Sequence, residues 1–149
     1  MLELIVTLVI TVSSVLMLGY WFRYSCLLIL SAETTRDYAA DIATANQLSF
    51  LQVQAELREQ QPADLNRLQA SLDRDLAVVT YLIQNASGQG EWGIEARMLK
   101  LNYRLMSTWC SVSQRFSPEA GRRALDEMSM IVSHFANSLG EQASAGAAA

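Results

Sequence analysis

The chain has 149 residues, 51% of them hydrophobic and 17% charged, and a net charge of −4. That length allows one membrane helix and one modest domain with its own core. The negative balance argues against nucleic acid as a bulk partner, and two cysteines, Cys26 and Cys110, are too few for the disulfide framework of a small secreted domain.

The run from Leu2 to Tyr24 is almost wholly apolar, with no charged side chain between Glu3 and Arg23. About 20 such residues at roughly 1.5 Å rise each cross a bilayer, so the run predicts one membrane-spanning helix. Its aliphatic side chains favour insertion by on the order of 3 to 6 kcal/mol together. That outweighs Thr7, Thr11, Ser13 and Ser14, whose hydroxyls can bond back to carbonyls of the preceding turn. A cleaved signal peptide fits poorly: no Lys or Arg precedes the run, it is too long, and bulky Leu30 stands before the candidate cleavage site at Ser31-Ala32.

Tyr20, Trp21, Phe22 and Tyr24 around Arg23 read as an interfacial aromatic belt with a snorkelling cation. Arg23 and Arg36 follow the run and only the α-amino group and Glu3 precede it, so the positive-inside tendency places the C-terminal domain in the cytoplasm. Thr7, Thr11 and Ser14 share one face of the anchor, where they either seat a second membrane helix or face lipid.

Residues 31–60 contain no Gly or Pro before the Gln60-Gln61-Pro62 break, so a helical stalk continuing outward from the membrane is expected. Ala39 and Ala43, four apart, would let another helix come close, although Ala also simply favours helix. The second helix of the soluble part runs from Pro62 to about Asn85, with Leu65, Leu68, Leu72, Leu76, Val79 and Leu82 or Ile83 on one stripe. A third spans about Glu91 to Phe116, with Ile94, Met98, Leu101, Leu105, Trp109, Val112 and Phe116 expected inward. The fourth starts at Ser117-Pro118-Glu119, with Ser as N-cap and Pro in the first turn. It carries Leu125, Met128, Val132, Phe135 and Leu139, and Gly140 is expected to end it. Glu141 to Ala149 reads as a flexible tail. The expected fold class is all-α: one N-terminal transmembrane anchor over 1–30, a stalk over 31–60, and an antiparallel bundle over 61–140 completed by the stalk.

The chemical motifs are weak. Gly88-Gln89-Gly90-Glu91-Trp92-Gly93 matches a dinucleotide fingerprint, but no second strand follows and no acidic residue lies between Ala96 and Pro118. It reads as a helix–helix loop. His134 shares a helix face with Glu127 but lacks ligand-spaced neighbours, so neither a metal site nor a nucleophile–base pair is indicated. Arg97, Lys100 and Arg104 form a basic patch for an acidic partner or headgroups, or else a solvated face. Trp92, Trp109 and Trp21 read as loop anchor, core and interface belt. Asn85-Ala86-Ser87 is a glycosylation triplet only in an extracellular eukaryotic setting, and Cys26 is an acylation candidate.

No catalytic residue, metal or cofactor is expected. The reading is a single-pass membrane protein acting as a non-enzymatic interaction or assembly subunit, with lipid and other subunits or itself as partners. The alternative is a membrane-tethered sensory or ligand-binding bundle.

Overall fold

The computed structural model describes residues 1–32, 36–59, 64–86, 93–147 of the chain. Among them there are helices and no strands, so the protein is all-α. It divides into two compact units, Met1–Ala32 and Glu33–Ala149. The 60–62 helix break, the 87–92 loop with Trp92, and Ser87 of the glycosylation triplet lie outside the described residues.

The first unit is α1 (Leu2–Ser31), 30 residues long and apolar enough to cross a membrane. At 1.5 Å per residue it extends about 45 Å, longer than the roughly 30 Å hydrocarbon layer. It runs without interruption through the aromatic belt and ends at Ala32, whose backbone is extended.

The second unit is a bundle of α2 (Ala39–Asn46), α3 (Phe50–Arg58), α4 (Leu65–Ala86), α5 (Ile94–Ser113) and α6 (Pro118–Ala147). α6 is its axis: α5, α4, α2 and α3 all pack against it. Accordingly α6 is buried on most of its circumference, including Leu125, Met128, Ile131, Val132 and Phe135 and the small Ala124, Ser129 and Ala136. Its start is as expected, with Ser117 before Pro118 and its hydroxyl accepting the Ala120 N–H at 3.4 Å. α4 buries Leu68, Leu72, Val79 and Ile83, the stripe its periodicity gives.

Three expectations need correction. The stalk is two helices, not one. α2 ends where Gln47 takes a left-handed backbone (φ 53°) and the Leu48 N–H donates to the Ala43 carbonyl at 2.9 Å. A non-glycine residue costs about 1 kcal/mol or more there. The compensation is Asp75 of α4, buried, whose Oδ2 accepts the Ser49 N–H at 2.7 Å and its hydroxyl at 3.1 Å. That carboxylate satisfies a backbone donor at the new N-terminus and favours the positive end of α3. The bend turns α3 so that Phe50 and Val53 are buried and the helix touches α4 as well as α6.

Gly140 does not end the last helix, which continues to Ala147. Its role is close approach: a methyl group built there would overlap the Tyr38 side chain, with the ring Cγ only 2.8 Å away. Beside it the Tyr38 N–H donates to Asn137 Oδ1 at 2.7 Å, so the entry to α2 is fastened onto α6 at this point.

The third correction concerns α5. The side expected inward is outward, and Trp109, expected in the core, is more than half exposed.

Candidate interaction face

α5 buries Leu99, Asn102, Tyr103, Cys110 and Ser113. A helix advances about 100° per residue, so these residues occupy one side, and Ile94, Leu101, Leu105 and Val112 project from the opposite one. The latter, with Trp109 and, beyond the helix, Phe116, are 46% to 83% exposed. Ile94, Met98, Leu101, Leu105, Thr108 and Val112 follow one another at alternating spacings of four and three. This is the periodicity of a seam that packs against another helix. Met130, on the exposed side of α6, is a further large apolar group at the surface.

The buried side of α5 combines Leu99 and Cys110 with polar groups, of which Asn102 and Tyr103 are paired across to helices distant in sequence. Asn102 Nδ2 donates to Glu127 Oε1 of α6 at 2.6 Å, and the Tyr103 hydroxyl donates to Asp73 Oδ1 of α4 at 2.8 Å. At the half-exposed edge of α5, Gln69 Nε2 of α4 donates to the Ser107 hydroxyl at 2.9 Å and to the Ser111 hydroxyl at 3.2 Å. Among the described residues no buried side-chain N or O lacks a partner. Burial, with the Asp73 carboxylate beside it, pushes the Tyr103 hydroxyl far above its ordinary range, so it remains a donor. Burial likewise raises the Cys110 thiol, keeping it protonated and a poor nucleophile.

Between α4 and α5 lies an open groove of about 570 Å³. The Tyr103–Asp73 bond forms part of its wall, Lys100 and Arg104 line it, and Leu76 and Ala77 supply apolar wall. Two of the three expected basic residues therefore meet here. Arg97 is exposed on α5 one turn away.

Thr7, Thr11 and Ser14 lie exposed along α1, each hydroxyl donating at 2.8 Å to the carbonyl four residues earlier. Tyr20, Trp21 and Tyr24 are exposed and Phe22 and Arg23 half-buried, and the rings of Tyr20 and Tyr24 stack at 6.3 Å. Ala39 and Ala43 are buried within the bundle, on a helix that packs against α6. The helix these alanines admit belongs to the chain itself. Neither Cys26 nor Cys110 is in a disulfide.

His134 is half-buried, and burial lowers its pKa from the usual value while Glu95 and Glu141 act in the opposite direction. Among the described residues no three His, Cys, Asp or Glu side chains gather as a metal site would require. Sequence reasoning missed Asp75 and the Asn102–Glu127 pair. Asp75 did leave a signal, since it falls at helical spacing between Leu72 and Val79 on an otherwise apolar stripe. No known protein family, curated protein or solved structure matches this chain.

Proposed function

We propose that the chain is a single-pass membrane protein whose C-terminal helical bundle faces the cytoplasm and serves as a non-enzymatic assembly subunit. The observation that carries this reading is the apolar stripe of α5. Its side chains stand outside a bundle whose buried polar groups, among the described residues, are already hydrogen-bonded. Contiguous exposed apolar patches on a soluble domain mark interaction sites. α1 supplies the anchor by its length and composition, and Arg23 and Arg36 supply the orientation by the positive-inside tendency.

The test is purification of the tagged full chain from its own membranes in gentle detergent at native expression, with native mass spectrometry of the product. A stoichiometric assembly, homomeric or heteromeric, is the expected result. A lone monomer overturns the reading.

A second reading is favoured by the groove between α4 and α5. Its volume falls within the roughly 300–1,000 Å³ of small-molecule sites. Lys100 and Arg104 beside the apolar wall suit an anionic, partly apolar ligand. A thermal-shift screen of such compounds tests it, and stabilisation abolished by Arg104→Ala is the expected result.

A further inference from the structure

We infer that the occupant of the α5 stripe is a second copy of this chain, packed parallel along α5. The inference rests on the assembly reading above and names its partner.

The stripe is flanked unequally. In heptad terms Met98, Leu105 and Val112 occupy one seam position and Ile94, Leu101 and Thr108 the other. One flank then carries Arg97 and Arg104. The opposite flank carries Glu95, Asn102 and Trp109, and on that side Glu127 of α6 accepts the Asn102 amide. Glu95 also lies near enough to bias the half-buried His134. The surface is thus basic on one border and acidic or aromatic on the other.

Such a surface is complementary to itself in one orientation. In a parallel pair each flank faces the opposite flank of the neighbour. Arg104 then faces the indole of Trp109, a cation–π geometry, and Arg97 faces the border where Asn102 itself is buried and Glu127 of α6 supplies the carboxylate. In an antiparallel pair like flanks meet, and Arg97 confronts Arg104 of the other copy. Charge therefore selects the parallel form, as flanking residues do in paired helices generally.

Size supports the same conclusion. Ile94, Leu101, Leu105, Trp109, Val112 and Phe116 are each 46% to 83% exposed. Together they offer several hundred Å² of apolar surface, the scale of the about 800 Å² per partner buried in a specific interface. Two copies inserted in one bilayer from the same side also meet at a raised effective concentration.

The experiment uses the full chain in mild detergent, with mass measured by light scattering and sedimentation. The wild type is expected to be a dimer, and Leu105→Glu a monomer with unchanged helical circular dichroism. Arg104→Glu should weaken dimerisation at least tenfold, and adding Trp109→Arg to it should restore it. Leu105→Cys provides a readout that does not depend on Leu105→Glu remaining folded. Parallel pairing sets the two introduced thiols opposite each other, so mild oxidation should give a disulfide dimer that the wild type does not form.

A monomeric wild type without the Leu105→Cys crosslink overturns the inference, as does a dimer that survives Leu105→Glu. A monomer that leaves its membrane with a different stoichiometric protein also overturns self-pairing, yet leaves the assembly reading standing. A monomer that leaves alone removes both. Quenching of Trp109 by brominated lipid, in a monomer carrying Trp21→Phe and Trp92→Phe, would assign the stripe to a lipid surface and equally overturn the pairing.

Discussion

α5 and α6 are both amphipathic helices with apolar residues at spacings of three and four, yet they meet the rest of the bundle in opposite ways. α6 turns its apolar side inward and is covered by α2, α3, α4 and α5. α5 turns Asn102 and Tyr103 inward, bonds them to Glu127 and Asp73, and leaves Leu101, Leu105 and Val112 outside. Amphipathic spacing says which side of a helix is apolar. Which side faces inward is decided by whether the polar groups find partners, because an unpaired buried polar group costs about 1–3 kcal/mol. On α5 each inward polar group has a partner, so the apolar side is left over for association.

Substitutions at matched depth on the two helices should break or sharpen this contrast. The largest expected effect lies on α6. Met128 is fully buried, and Met128→Ala should cost about 2–5 kcal/mol of stability, read as a lower chemical-denaturation midpoint. On α5 the buried polar side should carry the stability. Asn102→Ala removes an amide donor to a carboxylate and should cost about 1–3 kcal/mol by the same measurement. A neutral Asn102→Ala would mean that the inward side of α5 is not what holds the helix.

Gly140→Ala sharpens the account of α6 as an axis. The added methyl meets the Cβ and ring of Tyr38 rather than the end of a flexible side chain, so the neighbouring backbone must shift. A loss of about 1–3 kcal/mol is expected. A helix-terminating glycine would give a small effect, or a gain from better helix propensity.

A smaller effect should appear with pH. Burial holds the folded-state pKa of His134 below its ordinary value. The unfolded chain therefore binds this proton more readily, and stability is lost as pH falls through about 6.5 toward the folded pKa. Thermal melts from pH 7.5 to 5.5 should show a decline that His134→Gln flattens. Glu95 and Glu141 moderate it, so charge-removing substitutions at either should steepen the decline.

The contrast also explains what could be read from the sequence. The stripe Leu125, Met128, Val132, Phe135 and Leu139 was legible because α6 obeys the ordinary rule, and α4 was legible for the same reason. The α5 periodicity was legible too, but not its direction. The partners of Asn102 and Tyr103 sit 25 and 30 residues away on other helices, and no local pattern marks them. The bend at Gln47 was hidden because no Gly or Pro announces it and its compensation comes from Asp75, 26 residues beyond Ser49. Gly140 shows the reverse error. A glycine after an apolar stripe suggests a helix end, and only the approach of Tyr38 shows that it is an inter-helix contact. At the candidate site, Lys100 and Arg104 were visible as cations, while their shared groove with Asp73 and Tyr103 exists only in the fold.

The central claim is that the α5 stripe lies outside the fold of its own chain. The most direct measurement is the unfolding of the full chain carrying Leu101→Ser, Leu105→Ser and Val112→Ser, at a dilution where the wild type is dissociated. The account predicts retained helicity and a stability change within about 0.5 kcal/mol per site, with a monomer at concentrations where the wild type pairs. Loss of the helical signal, or a cost of about 2–5 kcal/mol per site as for a core leucine, would contradict it and make the stripe part of the core.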